Sequence, residues 1–251
     1  WSFPDYDTHF AKMLDKNKSI VLFSGGQDSS ACLLWALSNF KEVQTIGFDY
    51  GQRHNVELKC RINLLKKIQS YSSNFFGKLS DDFIVNLEEI KNISESSLLN
   101  SENIKVLENG LPNTFVPGRN LIFLNYAAII AYKNKTKNII AGMCETDFSG
   151  YPDCRNETIT SMEKSLNLGM DVEFKIQTPL MFKSKAEIWQ LIYEKGKKEL
   201  IDIVIEESHT CYKGDRSKRF DWGYGCNSCP ACELRSKGWN EFIINYPELE
   251  K

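Results

Sequence analysis

Ile20-Val21-Leu22-Phe23-Ser24-Gly25-Gly26-Gln27-Asp28-Ser29-Ser30 is the stretch whose reading decides the fold of this chain. An apolar run meets two consecutive glycines, and helix-compatible sequence continues from Ser29 to Phe40. A strand, a tight turn and a helix start in that order gather backbone N–H groups and the positive end of a helix dipole at one point. Glycines let an anion come close to such a backbone, and Ser24, Ser29 and Ser30 can add hydroxyl donors. The Gly-Lys-Ser/Thr ending of a P-loop nucleotidase is missing, which argues against a kinase-like grip. The plainer alternative is an ordinary Gly-Gly turn with Asp28 or Ser29 capping the helix.

The same strand-then-helix order continues outward. Val43–Tyr50, Phe83–Leu87, Asn138–Gly142 and Glu173–Leu180 read as strands. Val56–Ser70, Leu121–Lys133, Thr158–Asn167 and Ala186–Lys195 read as helices. This alternation predicts an α/β fold, an open parallel sheet with helices on both faces and right-handed crossovers. Residues 1–18 read as an N-terminal extension, 19–205 as the α/β domain and 206–251 as a small C-terminal lobe packed on it. The connection Glu88–Asn113 is polar, irregular and long enough to suggest a functional segment.

Bulk composition narrows the function classes. With 251 residues, 42% apolar and 25% charged, the chain has the make-up of a soluble globular protein with a sizeable core. A net charge of −2 weighs against a surface built to hold polyanionic nucleic acid, so no stable nucleic-acid partner is expected. No apolar run approaches the ~18 residues of a membrane span and no export signal is visible, so no membrane partner and a cytoplasmic location are expected.

Cys32, Cys60, Cys144 and Cys154 are scattered, but Cys211, Cys226, Cys229 and Cys232 fall within 22 residues. Four thiolates at that spacing suit a closed tetrahedral zinc site of structural type. A Cys-x-x-Cys redox couple and an iron–sulfur cluster use similar spacings, and zinc is preferred over both. His209, two residues before Cys211, is a further nearby donor.

The Ser-Gly-Gly-x-Asp-Ser string after a buried strand resembles the pyrophosphate loop of ATP-pyrophosphatases. Read with Phe48–His54, Pro112–Asn120, Cys144–Arg155, Thr178–Met181, Lys185–Glu187 and Thr210–Tyr212, it closely resembles the QueC family of 7-cyano-7-deazaguanine synthases over about residues 19–240. The resemblance implies a Rossmann-like domain of the adenine nucleotide α-hydrolase type. It also implies an ATP-dependent ligase joining ammonia to 7-carboxy-7-deazaguanine and releasing the nitrile, with adenylated carboxylate and amide intermediates, in a homodimer. Two features depart from the family pattern: the extension before Ser19, and a long spacer Tyr212–Gly225 carrying Lys213, Arg216, Lys218 and Arg219.

On this reading ATP is held by Phe23, Ser24, Gly25, Gly26, Gln27, Asp28, Ser29 and Ser30, with Arg53 and His54 at the end of the second strand. Asp28 can orient Mg²⁺, a cation that takes hard oxygen ligands beside phosphates. Arg119, Asn120, Glu145, Asp147, Asp153 and Lys183 are expected at the substrate, and Lys185 is a second lysine in reach of phosphate. Asp28, Arg119, Glu145, Asp147 and Asp153 are the candidates for catalysis, with Glu145, Asp147 and Asp153 for recognising a guanine-like edge or deprotonating ammonium. Zinc would sit on the four clustered cysteines. Two other classes remain open, another pyrophosphate-loop enzyme that thiolates tRNA or forms an amide, and a non-enzymatic nucleotide-binding or zinc module. A thiolating enzyme would need a catalytic cysteine pair and a basic tRNA surface, and neither is evident.

Overall fold

Side chains along β1 (Asp15–Leu22) and just beyond it alternate between two apolar layers, as a strand buried on both faces requires. Val21 and Phe23 face one layer, while Ile20 faces the other. The computed structural model describes residues 14–51, 56–71, 75, 77–94, 96–98, 105, 108, 110–146 and 150–249. Within them β1, β2 (Glu42–Asp49), β3 (Leu79–Asn86), β4 (Thr136–Ile140) and β5 (Lys175–Gln177) form one parallel sheet in the order β3-β2-β1-β4-β5. α1 (Gln27–Asn39), α2 (Val56–Tyr71) and α6 (Lys185–Glu207) cover the Val21 face through Leu33, Leu37, Leu64, Ile68, Ile188 and Trp189. α4 (Arg119–Lys133) and α5 (Asn156–Met170) cover the Ile20 face through Leu124, Ala128, Ile159 and Leu166. Helices on both faces of an open parallel sheet are what the alternation predicted.

Boundaries shift where tertiary contacts outweigh local pattern. β1 starts at Asp15, so Asp15–Lys18 belong to the sheet and not to an extension; residues 1–13 lie outside the described residues. β3 is four residues longer at its start than the apolar run Phe83–Leu87 suggested, because it is an edge strand whose Asp82 is consumed by partners on neighbouring elements. β5 keeps only Lys175–Gln177 of the expected Glu173–Leu180, since Pro179 has no N–H to offer a ladder. α6 runs far past Lys195, as two helical runs joined at Gly196 and Lys197, where Lys197 takes φ +54°. In the connection 88–113 a single turn of helix, α3 (Ile90–Ile93), is described.

After α6 the chain forms a lobe of one hairpin, β6 (Arg219–Phe220) and β7 (Gly223–Tyr224), and the helix α7 (Pro230–Ile243). Its Trp222, Trp239 and Phe242 share one core with Trp189, Ile201 and Val204 of α6. The long spacer is folded into this lobe. Arg216 donates to the carbonyls of Glu206 (2.6 Å) and Ser208 (3.2 Å) at the end of α6, and Arg219 donates to Glu206 Oε1 at 2.7 Å. A cation there satisfies carbonyls that the helix end leaves orphaned. Among the described residues no helix is long and apolar enough to cross a membrane.

Candidate functional site

The Ser24–Ser29 loop lies between β1 and α1 with Gly26 as the helix N-cap and no side-chain cap on that end. Ser29 Oγ accepts from Gly25 N at 3.1 Å and Ser24 Oγ accepts from Gly26 N at 3.3 Å. These rotatable hydroxyls hold the amides that an incoming phosphate would take over. Behind the loop, Gly25 carries φ +93° and a Cβ there would lie 2.9 Å from the Arg61 backbone N and Cα. His209 N donates to Gly25 O at 3.1 Å, so the segment leading to Cys211 backs the same turn. Lys185 Nζ bonds Asp28 Oδ2 at 2.7 Å, while Asp28 Oδ1 is buried with no partner among the described residues. An orphaned carboxylate oxygen beside a phosphate loop fits a hard divalent cation such as Mg²⁺.

The loop opens onto a cavity of about 320 Å³ at the carboxyl ends of the central strands. Leu22 ends β1 and Phe23 and Ser24 follow it, Gly47 and Phe48 lie near the end of β2 with Tyr50 just beyond, and Gly142–Cys144 follow β4, so the cavity lies where the strand order reverses direction. Open α/β sheets bind ligands at that crevice because crossovers leave it in opposite directions. One wall is aromatic, with Phe48 and Phe123 stacked at 4.0 Å between centroids and Arg119 lying over Tyr50 and Phe123. Burial alone would weaken the Arg119 charge, but Tyr50, Tyr151 and Asp153 outweigh it and raise its pKa. Its Nε is buried without a partner among the described residues. Glu57, in the first turn of α2, also lines the cavity. Desolvation lifts its pKa from 4.5 to about 7, with Arg119 pulling the other way.

Cys211, Cys226, Cys229 and Cys232 come together behind the loop, their Sγ atoms all within 4.8 Å of one another. The Cys226–Cys232 and Cys211–Cys229 separations are 3.9 and 4.0 Å. A zinc ion with Zn–S bonds of about 2.3 Å needs tetrahedral S···S edges of about 3.8 Å, so the set fits such a metal with little adjustment. Tyr212, the residue after Cys211, lines the cavity.

A family model described as "Queuosine biosynthesis protein QueC" matches residues 18–243, nearly the whole chain. The chain belongs to the QueC family. A 7-cyano-7-deazaguanine synthase from Bradyrhizobium sp. is 52% identical over 90% of this chain and 94% of its own length. One from Rhodopseudomonas palustris is 53% identical over 89% of this chain and 94% of its own. One from Gluconobacter oxydans is 48% identical over 93% and 97%. The crystal structure of a 4-thiouridine synthetase–RNA complex with bound ATP aligns with a TM-score of 0.49 and 18% identity, over 93% of this chain and 52% of that one.

Within this QueC chain the expected site residues separate by position. Phe23, Ser24, Asp28, Ser29, Arg119 and Asn120 line the cavity. Gln27 and Ser30 are buried in the first turn of α1, where the Ser30 hydroxyl donates to Gly26 O at 2.7 Å. Asp153 accepts from Asn120 N at 3.1 Å and so tethers the start of α4. Glu145 accepts from Asn156 N at 3.1 Å, at the start of α5. Lys183 offers its carbonyl to Thr146 Oγ1 at 2.8 Å, and it is Lys185 whose ammonium meets the loop. Arg53, His54 and Asp147 lie outside the described residues.

Among the cavity residues not expected from sequence are Arg61, Tyr50 and Glu57. Arg61 is fully buried, donates to Phe23 O at 2.8 Å and forms a double ion pair with Asp82, fixing the end of β1 against β3. A helix-borne arginine reads as a solvated cation, and only the fold shows its span. Tyr50 lies inside the Phe48–His54 motif, where it reads as the last apolar residue of a strand. Glu57 lies just beyond that motif, and the apolar spacing of α2 drew attention away from the acid in its first turn.

Proposed function

We propose that this QueC chain is an ATP-dependent ligase that converts 7-carboxy-7-deazaguanine and ammonia to 7-cyano-7-deazaguanine. The observation that carries the reading is the Ser24–Ser29 loop with Lys185 and the free Asp28 Oδ1 opening onto the cavity at the strand-order reversal. In this reading the substrate carboxylate attacks the α-phosphorus of ATP, and pyrophosphate leaves into the loop. N–H donors held ready where phosphate charge develops lower the barrier without reorganisation. Ammonia then displaces AMP from the acyl carbon. A second ATP adenylates the amide oxygen, and its departure as AMP leaves the nitrile. One loop serves both activations. Asp28 would hold Mg²⁺, which neutralises phosphate charge, while Lys185 supplies a cation of the chain's own.

Arg119, with an unsatisfied Nε over an aromatic wall, suits the substrate carboxylate or the flat deazaguanine ring. Asn120, Glu145, Asp147, Asp153, Lys183, Arg53 and His54 complete the proposed substrate and nucleotide contacts. Zinc on the four cysteines would be structural, since four thiolates leave no open position. On this reading the protein works as a cytoplasmic homodimer on free small molecules.

Incubation with 7-carboxy-7-deazaguanine, ammonium and ATP, followed by mass spectrometry and nucleotide analysis, tests this. The expected result is the nitrile with two AMP and two pyrophosphate per product. ADP and phosphate, or no nitrile, would refute it.

A further inference from the structure

Nitrogen enters the ligase reaction as ammonium and leaves as a nitrile, so it sheds four protons: one before it attacks, one as the amide forms and two as the amide becomes the nitrile. Ammonia is almost wholly ammonium near neutral pH and must lose a proton before its lone pair can attack the acyl adenylate. Later the adenylated amide must give up its N–H hydrogens as the C–O bond to AMP breaks and the C≡N bond completes. The acids singled out from sequence are poorly placed for this among the described residues. Asp28 is paired with Lys185, Asp153 tethers α4, and Glu145 is exposed and holds the start of α5.

Glu57 differs from all three. It lines the cavity from the first turn of α2, and no described group hydrogen-bonds its carboxylate. Leu58, Leu98 and Phe123 line the same cavity and supply apolar surroundings. Arg119 faces it from the start of α4, Tyr50 from the end of β2, and Cys60 lies one turn along α2 with Arg216 bonded to its Sγ. We infer that Glu57 is the general base of the nitrogen steps, taking one proton from ammonium before C–N bond formation, one from the adduct nitrogen as the first AMP departs, and the two of the adenylated amide nitrogen as the second AMP departs. Resting on the deazaguanine reading, this names the proton acceptor that the reading leaves open. Each proton moves from nitrogen to a Glu57 oxygen and on to solvent, so the carboxylate is regenerated before the next transfer. Its surroundings suit the group to that role. Burial lifts its pKa to about 7 in spite of Arg119, making it a far better proton acceptor than an ordinary carboxylate.

The test compares the full-length wild type with Glu57→Gln in two assays. Adenylation alone, read as substrate-dependent ATP–pyrophosphate exchange, needs no base at nitrogen and should persist within about twofold in the variant. Nitrile formation should fall about 100-fold, the low end of what a positioned base contributes. It should recover in part as pH and ammonium are raised, because free ammonia then bypasses the first proton transfer. A variant that makes nitrile at the wild-type rate overturns the role of Glu57. So does one that loses exchange and nitrile together with a raised KM for 7-carboxy-7-deazaguanine, since Glu57 would then be recognising the guanine-like edge. Should the variant fail to fold, the wild type carries the test. Nitrile formation at constant free ammonia must drop on the acid side with a midpoint near 7 while exchange does not, and a flat profile overturns the inference. A wild type that makes no nitrile overturns the deazaguanine reading itself, which the Glu57→Gln comparison alone cannot do.

Discussion

At Gly25 the backbone holds φ +93° with the Arg61 backbone against it. Alanine there meets both a left-handed conformation and a contact that cannot move aside, so Gly25→Ala should cost about 2 kcal/mol or more. The measurement is thermal or urea unfolding of the full chain. Asp28 carries a different weight, because its carboxylate faces the cavity beside Lys185 and not the core. Asp28→Ala should leave the melting temperature near that of the wild type and lower ATP-dependent turnover about 100-fold or more. A variant with wild-type turnover would remove Asp28 from the phosphate site. For Glu57 the sign of the pH effect follows from its raised pKa. The folded state binds a proton more tightly than the unfolded one, so its contribution favours folding below about 4.5 and is lost as pH rises through about 7. Glu57→Gln should therefore stabilise the protein at alkaline pH by about 1–2 kcal/mol, after allowing for partial exposure, and change little near pH 4.5. Melting curves at the two pH values read this directly.

At the scale of an element, α6 shows how a local signal serves the site. Ser184 accepts from Glu187 N at 3.2 Å and the Glu187 carboxylate accepts from Ser184 N at 2.7 Å, a reciprocal capping box. That cap fixes where the helix starts, and the helix start places Lys185 against Asp28. Ser184→Ala should cost about 1 kcal/mol, a fall of about 2–4 °C in melting temperature for a chain of this size. The Ser184 amide holds Glu187 below the usual carboxylate range, so its half of the box is present at neutral pH and lost on acidification through its folded pKa. Circular dichroism melts of Ser184→Ala at neutral and acid pH would show the difference from wild type shrinking as pH falls. The hairpin β6–β7 is the opposite case. Its two-residue strands carry no periodicity to read, and they hold because Arg219, Tyr224 and Glu206 lock them to the end of α6.

Across the whole molecule the four-cysteine cluster and the Ser24–Ser29 loop are one mechanical unit. His209 N bonds Gly25 O, Arg235 Nη1 reaches Thr210 Oγ1 at 2.9 Å, and Arg235 Nε holds Trp222 O at 2.9 Å. Removing a ligand from a closed metal site removes folding free energy. If the cluster holds zinc as proposed, Cys229→Ser should lower bound zinc and the melting temperature together, with activity falling only as folded protein is lost. Metal analysis beside melting and activity per folded molecule checks this. A variant that stays fully stable yet inactive would move the cluster into the chemistry.

The sequence by itself determined the strand–turn–helix of the loop, the alternation that makes an open parallel sheet, and which four cysteines meet. These follow from periods, glycines and spacings that act over a few residues, or from ligands whose chemistry names their partners. Only the tertiary structure decided which polar residues face the cavity. Lys185 and not Lys183 meets the loop because the Ser184 cap sets where α6 starts and hence which lysine is turned towards Asp28. Asp153 and Glu145 lie in a motif rich in functional residue types, yet their oxygens are taken up by helix starts that only the packing brings near. Arg61 and Glu57 look like the solvated face of an amphipathic helix. They became an internal strut and a cavity acid because α2 packs across the carboxyl ends of β1 and β2, a long-range placement that no short window of sequence encodes.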